Sequence, residues 1–545
     1  MRNEPLQFSN LNRQVRIKKS ANTHYDLIVI GGGITGAGIL LDAALRGMKA
    51  ILIEKSDFAS GTSSKSTKLI HGGLRYLKQM EFGLVRETGL ERAVAHRNIC
   101  HLVHPENMLL PIVENGTFSQ FTAGLAIGVY DRLAKVERGQ RRKKLSKQQV
   151  LNKEPLLEES KLKSGIIYSE YRTDDARLTM ELIKSARRSG AEAFNYLEVN
   201  DFSYTGKNVS GIICEDKVTN EEVHINATHI VSSAGPWVDI LRKKDNPKTE
   251  TNLHLSKGVH IVFDKKDFNI QNSIYFDAFD GRMIFAIPRS GVVYVGTTDT
   301  SFDPGTDQLN CTKDDAAYLL NAVNTMFNIQ LNIKDIKSTW SGLRPLIRQK
   351  GKGPTELSRK DEIFISDSGL ISIAGGKLTG FRKMAKRVVD MVAEKLEQDF
   401  PPCKTKDYKI HQQPFSDYAE YLHVVEQLCK SYKDYYNQDI ADLISNFGKD
   451  GIDILSETKD KGITLIESQL NYALQYESVY HPLDFLDRRT GWLFFNINKV
   501  KEHKEFITKR ISNAFDFSSD WETQMLKEST NRYNSNSLKE IKEII

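Results

Sequence analysis

The hydrophobic pattern near the start of the chain predicts alternating strands and helices. Residues 25–30 (YDLIVI) and 50–53 (AILI) are short, continuous apolar runs rich in β-branched residues, which predicts two buried strands. Residues 34–46 lie between them and favour a helix, and Gly47 follows, as is common after a helix end. The order strand, helix, strand predicts a βαβ unit of a Rossmann-like α/β domain.

Further segments extend this pattern. Residues 165–167, 193–198 and 229–232 are strand-like, and a helix is predicted over residues 173–188, capped by Thr173 or Asp174. Near residue 372 a short apolar strand precedes two glycines and a helix predicted over residues 381–395. We expect these elements to join the same α/β domain.

Residues 255–299 show a different hydrophobic pattern. Strand-like runs (HIVFD, SIYFDAF, RMIFAIPRS and VVYVGTTD) alternate with turn pairs such as Asp280-Gly281 and Ser290-Gly291. That arrangement predicts an antiparallel meander. Beyond the break at Pro401-Pro402, apolar residues recur at helical spacing, so residues 403–545 are predicted to be mostly helical. This helical region carries no visible chemistry and has packing or oligomer contact as its expected role.

Composition and charge exclude several classes of function. The chain has 545 residues, 40% apolar and 27% charged, and a net charge of +6, which is too small and dispersed to indicate a nucleic-acid partner. The five cysteines are scattered without metal-like spacing, so no metal site is expected. No apolar run is long enough to span a bilayer and the N-terminus lacks an apolar secretion signal, which favours a cytoplasmic location.

Glycines follow the first predicted strand in the spacing G-x-G-x-x-G. Gly31, Gly33 and Gly36 would let the backbone approach a pyrophosphate that rests on the helix N-terminus. Glu54 at the end of the second strand is placed to accept hydrogen bonds from ribose hydroxyls. The order of the elements indicates dinucleotide binding, and a nicotinamide and a flavin cofactor both remain open at this point.

Two later segments bear on that choice. Residues 60–77 (SGTSSKSTKLIHGGLRYL) are rich in small hydroxyl residues and glycine, which suits close approach to a flat cofactor ring, although a polar surface loop has the same composition. Residues 372–382 (SIAGGKLTGFR) lead from a strand through Gly375-Gly376 into a helix N-terminus, which favours an electron-rich ligand. An ordinary strand–helix turn is the alternative for this second segment.

The motifs together resemble a known family. GGGITGAG, SSKSTKLIHGGLRYL, DDARL, SAGPWVD, KGVHIVF, VGTTDT, SGLRPL and GGKLTGFR occur in the order found in FAD-dependent glycerol-3-phosphate dehydrogenases, within the D-amino-acid-oxidase-like flavoproteins. The resemblance covers about residues 25–390, and HPLDFLDRRTGWLFF resembles the helical C-terminal domain of the same enzymes. It implies an α/β fold: a Rossmann-like FAD-binding domain with an antiparallel β-sheet substrate cap, plus a C-terminal all-helical domain.

This resemblance implies domains and a cofactor site. The domains would be an N-terminal extension (1–24), an FAD-dependent oxidoreductase domain (25–400, with cap segments at roughly 100–165 and 245–340) and a C-terminal helical domain (401–545). FAD is the implied cofactor. The implied FAD-binding residues are Gly31, Gly33, Gly36, Glu54, Ser63, Ser64, His71, Gly72, Gly235, Gly375, Gly376, Lys377, Leu378 and Thr379.

The implied reaction oxidises sn-glycerol 3-phosphate to dihydroxyacetone phosphate. Arg75 and Arg344 would bind the phosphate, because guanidinium groups bind oxyanions with two hydrogen bonds, but either could be a structural arginine. Tyr76 and Thr379 would add hydroxyl groups, with packing against the cofactor as the alternative for Tyr76.

Two histidines and a lysine complete the implied site. His71 and His260 are the candidate bases, because an imidazole titrates near neutral pH, and a core or cofactor-contacting role is the alternative for each. Some members of the family carry a second histidine where this chain has Val259, so the motif supports His260 without fixing a unique base. Lys377 would lie near both substrate and flavin and stabilise negative charge, or else be a solvated lysine at a helix start.

The electron acceptor divides the family. Dehydrogenases pass electrons to a membrane quinone, whereas oxidases give them to oxygen and run longer through an insertion, so this chain favours the quinone. Residues 121–144 combine an apolar stretch with a basic cluster, which suits peripheral docking on the inner face of the cell membrane or, equally, a buried helix followed by a solvated loop. A homodimer is a further expectation. A flavin-bearing protein without turnover is disfavoured, because Arg75, Arg344, Lys377 and His260 are all present.

Overall fold

Two β-sheets and a set of helices make up the protein. The computed structural model describes residues 7–72, 82–119, 128, 141–304, 309–348 and 361–544. Within these residues the strands are β1 (His24–Ile30), β2 (Ala50–Ile53), β3 (Leu69–Ile70), β4 (His104–Val113), β5 (Lys143–Ser146), β6 (Leu162–Arg172), β7 (Glu192–Phe194), β8 (Leu197–Thr205), β9 (Asn208–Asp216), β10 (Glu221–Ser232), β11 (Leu253–Asp264), β12 (Ser273–Asp277), β13 (Met283–Arg289), β14 (Val292–Gly296), β15 (Thr300–Ser301), β16 (Ile336–Ile347), β17 (Asp361–Ile365) and β18 (Ile371–Gly375).

The helices surround these sheets and form most of the C-terminal region. They are α1 (Arg13–Ala21), α2 (Ile34–Leu45), α3 (Phe82–Asn98), α4 (Lys147–Lys153), α5 (Asp175–Arg188), α6 (Val238–Asp245), α7 (Lys313–Met326), α8 (Phe381–Lys395), α9 (Tyr418–Ser431), α10 (Asn437–Phe447), α11 (Asp450–Lys461), α12 (Leu465–Tyr476), α13 (Trp492–Phe495), α14 (Ile497–Phe515), α15 (Ser519–Asn536) and α16 (Lys539–Ile544). A π-helix, Asp484–Arg489, lies between α12 and α13.

The first sheet is the parallel sheet of the predicted Rossmann-like domain. Strands β18, β10, β1, β2 and β7 are parallel neighbours in that order, and β17 pairs antiparallel with β18 at one edge. Because crossover helices cover a parallel sheet, its strands are buried and read as continuous apolar runs. Leu27 and Val29 of β1 pack in one core with Phe381 and Val388 of α8. The predicted α/β class is confirmed.

A β-hairpin extends this sheet in a way the sequence did not indicate. β8 pairs antiparallel with β9, and β9 pairs antiparallel with the first half of β10. β10 is consequently twelve residues long, whereas the apolar run had predicted a strand over residues 229–232 alone. The first half of β10 alternates between exposed and buried positions, as expected for a strand with one face in solvent.

The second sheet contains the predicted meander with one difference. β12, β13 and β14 are consecutive antiparallel neighbours. β11 does not pair with β12; it lies between β14 and β16 and is antiparallel to both. The difference matters for the site, because the β11–β16 pairing brings the KGVHIVF and SGLRPL segments side by side.

The C-terminal region is helical, as predicted, and the N-terminal segment is bound to it. The Phe8 N–H donates to the Gln475 carbonyl at 3.0 Å, and the Ser478 N–H donates to the Phe8 carbonyl at 2.9 Å. The Ser9 hydroxyl donates to the Leu474 carbonyl at 2.6 Å. The proposed division at residues 24 and 400 stays a prediction, and the first described residues pack on α12. None of the described helices is both long and apolar enough to cross a membrane.

Candidate active site

The two glycine turns, far apart in sequence, line a single cavity. Its volume is about 520 Å³, and it lies at the carboxyl ends of the parallel strands, where open α/β sheets bind ligands. The predicted cofactor residues in its lining are Gly31, Gly33, Glu54, Ser63, Gly235, Gly375, Gly376, Lys377 and Leu378. The convergence of both turns supports a ligand long enough to reach from one to the other.

The first turn is a backbone cradle that only glycine allows. Gly31 has a φ of 107°, in the left-handed region. A Cβ on Gly36 would lie 2.0 Å from the carbonyl oxygen of Gly31, so the helix can approach the turn only because residue 36 lacks a side chain. The Ile34 N–H donates to the Ser63 hydroxyl at 2.9 Å, which fixes the hydroxyl loop against the N-terminus of α2. This cradle fits a pyrophosphate.

Glu54 is held rigidly at the edge of the cavity. Its carboxylate accepts hydrogen bonds from the Gly32 N–H at 2.7 Å and from the Ser56 N–H at 2.9 Å. Burial raises the pKa of this carboxyl above its ordinary value. Next to it, the Lys55 ammonium lies 4.6 Å from the centre of the Trp237 ring, and both residues line the cavity. The position of Glu54 fits the predicted contact with ribose.

The segment that follows the second glycine turn is hydrogen-bonded to His71. Gly375 and Gly376 have φ of 77° and 83°, and Lys377 precedes the short 3-10 turn Leu378–Gly380. The buried Thr379 hydroxyl accepts from the His71 N–H and donates to the His71 carbonyl, both at 3.1 Å. Thr379 thereby fixes the position of His71, and its hydroxyl is not part of the cavity lining.

This tie predicts a stability effect for Thr379→Val. The change removes two hydrogen bonds and leaves partly buried backbone groups of His71 without that partner, which should lower the free energy of unfolding by about 1–3 kcal/mol. Urea unfolding of the FAD-loaded protein measures it. Thr523→Val is the matched control, since the exposed Thr523 hydroxyl donates to the Ser519 carbonyl on a surface helix. Equal, small losses in both variants would contradict this role for Thr379.

The DDARL segment holds the hydroxyl-rich loop in place through hydrogen bonds to Asp175. The Asp175 carboxylate accepts from the Ser66 N–H at 3.1 Å, from the Ser66 hydroxyl at 2.6 Å and from the Lys68 ammonium. The Trp340 indole donates to the Ser66 carbonyl at 3.2 Å. Ser64 is fully buried and, unlike Ser63, does not line the cavity. Its predicted contact with the cofactor stays a prediction.

Arg344 of the SGLRPL motif contacts residues of the VGTTDT motif and lies next to Gly258 of the KGVHIVF motif. Its guanidinium donates to the Thr297 hydroxyl at 2.8 Å, to the Thr298 carbonyl at 3.1 Å and to the Asp299 carboxylate at 3.3 Å. A Cβ on Gly258 would lie 2.2 Å from Arg344 Nη2, so the glycine of KGVHIVF leaves the space that the guanidinium occupies. The side chain is 20% exposed. The guanidinium therefore lies on the cap sheet with a fixed orientation and partial access to solvent.

The two predicted bases differ in their surroundings. His260 is 2% exposed, stacks on Trp340 with ring centres 4.6 Å apart, and shares a hydrogen bond of 3.0 Å with the Thr67 hydroxyl through Nε2. Its buried Nδ1 has no hydrogen-bond partner among the described residues. Burial first, then Arg344, lowers the pKa of His260 well below its ordinary value.

His71 is more accessible. It is partly buried, and its ring lies edge-on to Phe285 with ring centres 5.8 Å apart. Gly72 is buried beside it, and its carbonyl accepts from the Thr88 hydroxyl at 3.1 Å. Neither His71 nor Gly72 is in the cavity lining. Arg75 and Tyr76 lie outside the described residues, so their predicted contacts with substrate stay predictions.

Several lining residues were missed by the sequence analysis. Lys65 lines the cavity beside Leu343, and its ammonium donates to the Ser60 carbonyl at 2.6 Å. Burial lowers the pKa of Lys65 to about 8. Its position in the hydroxyl-rich loop was the available indication. The other lining residues that were not named as site residues are Ile30, Ile34, Thr35, Ile53, Lys55, Ser56, Ser60, Gly61, Thr62, Leu197, Glu198, Val199, Ser233, Ala234, Pro236, Trp237, Ile240, Leu241, Lys244, Leu309, Leu343 and Pro345.

Comparison with known proteins gives consistent relatives. The sequence model of a family described as FAD dependent oxidoreductase matches residues 26–381. The aerobic glycerol-3-phosphate dehydrogenase of Staphylococcus haemolyticus is 47% identical over 538 residues, covering 96% of this chain and 97% of that protein. The corresponding protein of Staphylococcus epidermidis is 46% identical over 528 residues, covering 94% and 95%.

Solved structures agree with these sequence relatives. The glycerol-3-phosphate dehydrogenase from Bacillus halodurans, complexed with FAD, is 39% identical with a TM-score of 0.82, covering 97% of this chain and 98% of that chain. An L-α-glycerophosphate oxidase from Mycoplasma pneumoniae with FAD bound has a TM-score of 0.55 at 15% identity, covering 72% and 100%, which concerns the fold alone.

The residues present fit FAD as the cofactor. The Gly31–Gly36 cradle has the geometry to receive a pyrophosphate, Glu54 suits a ribose, and the cavity continues to the Gly375–Gly376 turn, which leaves room for a flat ring system. A nicotinamide cofactor, left open by the glycine motif alone, does not agree with the matching family. The chain belongs to the aerobic glycerol-3-phosphate dehydrogenase family of FAD-dependent oxidoreductases.

Proposed function

We propose that the protein oxidises sn-glycerol 3-phosphate to dihydroxyacetone phosphate, with the electrons passing to a membrane quinone. The observation that carries this proposal is the convergence of both glycine turns on one cavity, with Lys377 in its lining and Arg344 on the adjoining sheet. Relatives named aerobic glycerol-3-phosphate dehydrogenase that align over nearly the whole chain support the oxidation of glycerol 3-phosphate.

Substrate binding requires a cationic pocket for a dianionic phosphate. Arg344 is the proposed principal ligand, because its fixed fork can pair with two phosphate oxygens. Asp299 and Ser256 hold the guanidinium in place before substrate arrives. Arg75 and Tyr76 are proposed to complete the phosphate site. Lys377 brings a second positive charge to the cavity and would stabilise negative charge that develops there.

A neutral imidazole is proposed to take the proton from the C2 hydroxyl. His260 is the first candidate, because Thr67 orients its ring and the low pKa keeps it in the form that accepts a proton. It is also a neighbour of Arg344, so a substrate held by the guanidinium would lie on the same side of the sheet. His71 is the second candidate, since it is more exposed and precedes Arg75 closely in the chain.

The pH dependence of flavin reduction separates the two histidines. If His260 is the base, we expect no loss of rate from this group as the pH falls through about 6.5, because a base with a depressed pKa stays deprotonated there. His260→Asn should lower the reduction rate by about 10²–10⁴-fold and change substrate affinity less. Stopped-flow reduction across pH measures both.

The comparison variant for that experiment is His71→Asn. A wild-type acid limb that is absent from the residual activity of His71→Asn would assign the base to His71. A reduction rate that survives both substitutions would remove the proposed role from both imidazoles and transfer it to water.

When bound, FAD supplies the redox chemistry, accepting the hydride from C2 at N5 and releasing the electrons to the quinone. An oxidase on the same scaffold is the alternative, and its fold is similar. The test is anaerobic reduction by sn-glycerol 3-phosphate followed by reoxidation with oxygen or a soluble quinone. Faster reoxidation by the quinone supports the proposal, whereas rapid peroxide production in air supports the oxidase.

We propose peripheral attachment to the inner face of the cell membrane through residues 121–144. Of these the structure describes Gly128 and residues 141–144, where Lys143 and Lys144 are exposed. Each positive charge near an anionic leaflet contributes about 1 kcal/mol of attraction. A double variant, Lys143→Gln with Lys144→Gln, loses two such charges, or about 2 kcal/mol, and should bind anionic vesicles about 30-fold more weakly.

The control for that binding is a set of vesicles made only of zwitterionic lipid, on which both proteins should bind equally weakly. Unchanged binding of the double variant to anionic vesicles would remove this basic segment from the interface.

A homodimer remains a separate proposal, and sedimentation equilibrium of the FAD-loaded protein tests it.

A further inference from the structure

We propose that the C-terminal helical region completes the cofactor site, with Arg488 and Arg489 as positioning residues that hold the cofactor-lining segment 54–61 through Asp57. The sequence had given this region only packing or oligomer contact. The inference concerns FAD binding and does not depend on which acceptor receives the electrons.

Asp57 is fixed by charged groups from the far end of the chain. Its carboxylate accepts from Arg488 Nε at 2.5 Å and from two nitrogens of Arg489 at 2.7 and 2.9 Å. The Asn195 amide donates to it at 3.0 Å. Burial alone would raise the pKa of Asp57, but the guanidiniums of Arg489 and Arg488 hold it below its ordinary value. The carboxylate is therefore charged, enclosed and held from several directions.

The segment that carries Asp57 forms one wall of the cavity. Glu54, Lys55, Ser56, Ser60 and Gly61 all line it. Within the segment the Ser60 N–H donates to the Asp57 carbonyl at 3.2 Å, and the Ala59 N–H donates to the Gly32 carbonyl at 3.0 Å. A shift of Asp57 therefore shifts the wall relative to the glycine cradle.

The two arginines are anchored in turn. Both belong to the π-helix Asp484–Arg489, and π-helical turns occur frequently at functional sites. Arg488 also donates to the Asp484 carboxylate at 2.8 Å, and Arg489 donates to the Glu477 carbonyl at 2.7 Å. Because the C-terminal region holds both guanidiniums rigidly, it sets the position of Asp57.

A second connection reaches the other cofactor loop. Arg177 of α5 binds the Glu477 carboxylate with two hydrogen bonds of 2.7 Å. The same helix begins at Asp175, whose carboxylate holds Ser66 in the hydroxyl-rich loop. The C-terminal region is thus joined to both loops on the cofactor side, by Asp57 and by α5.

Energetics favour a positional role over simple stabilisation. Buried ion pairs contribute little to stability compared with apolar residues of the same shape, because two charges must leave water. Guanidinium–carboxylate pairs with two hydrogen bonds do fix orientation. We therefore expect these pairs to determine the geometry of the wall, and FAD affinity to report it.

The test compares Asp57→Asn with Asp315→Asn in the full chain. Asp315 is a buried carboxylate paired with Lys257 at 2.7 Å on the cap side, away from segment 54–61. We expect Asp57→Asn to raise the FAD dissociation constant about tenfold or more and Asp315→Asn to leave it unchanged within about twofold. Fluorescence titration of FAD-free protein measures the affinity, and thermal unfolding at saturating FAD measures the loss of stability.

Arg488→Gln carries the test if Asp57→Asn does not fold, since Arg489 still binds Asp57 in it. Its FAD affinity should fall in the same direction, and Arg488→Lys should recover part of the loss. Wild-type FAD affinity in Asp57→Asn or Arg488→Gln, with unfolding temperatures lowered as in Asp315→Asn, would overturn the proposal and leave these arginines a purely structural role.

Discussion

Gly36→Ala is expected to abolish stable FAD binding. The added Cβ would lie 2.0 Å from the Gly31 carbonyl oxygen and 2.7 Å from the Ser233 hydroxyl, so α2 would have to move away from the turn that receives the pyrophosphate. We expect FAD affinity to fall by about 100-fold or more, because both the helix N-terminus and the backbone N–H groups would move away from the proposed pyrophosphate site. FAD titration of the cofactor-free protein measures the change.

Gly83→Ala is the matched control. It makes the same chemical change in α3 at an exposed position where a Cβ meets nothing within 4 Å. FAD affinity and folding should both match those of the wild type. If Gly36→Ala binds FAD as the control does, the cradle is not where the pyrophosphate lies.

Arg344→Ala is expected to weaken substrate binding through the phosphate group. Losing a guanidinium partner of a desolvated dianion costs about 2–5 kcal/mol, so the apparent affinity for sn-glycerol 3-phosphate should fall by about 30-fold or more. The activity towards glycerol, which has no phosphate, should change far less. Steady-state kinetics with both substrates separates phosphate binding from a general loss of folding.

Gly258→Ala extends that comparison without removing a charge. Its Cβ would occupy the space of Arg344 Nη2, so the guanidinium would be displaced while it remains in the site. We expect a smaller loss than in Arg344→Ala, again confined to the phosphate substrate. Equal losses with glycerol and with glycerol 3-phosphate in Arg344→Ala would exclude Arg344 from the phosphate site.

Local chemistry explains why much of the fold was predictable. The strand–helix–strand unit at residues 24–53 is visible because buried parallel strands are continuously apolar and because the glycine turn needs a positive φ at Gly31. The α5 helix was predicted over residues 173–188, and Asp174 caps it by accepting from the Arg177 N–H at 3.1 Å. These signals lie within a few residues of one another.

Long-range pairing was not predictable in the same way. The hairpin of β8 and β9 was missed, since its exposed face leaves a weak apolar pattern, and the position of β11 between β14 and β16 depends on residues distant in sequence. Likewise, nothing in the sequence pairs Asp57 with Arg489, although Arg489 lies in the HPLDFLDRRTGWLFF segment. Only the fold brings them together in the interior.

In the candidate site, too, local features could be predicted from the sequence and long-range contacts could not. Backbone features, such as the glycines of both turns, could be predicted because they depend on local conformation. The surroundings of side chains could not, which is why the low pKa of His260 and the contacts of Arg344 with Thr297 and Asp299 had no indication in the sequence. The motifs indicated that the two glycine turns line one cavity, but not the side-chain contacts around it.

The most direct measurement is anaerobic titration of the purified, FAD-loaded protein with sn-glycerol 3-phosphate, followed by its visible absorbance. We predict a yellow protein that holds one flavin per chain and loses its colour at far lower concentrations of the phosphate substrate than of glycerol. A colourless protein that takes up no FAD, or a flavin that stays oxidised in the presence of the substrate, would contradict a cofactor held by both glycine turns beside a cationic pocket.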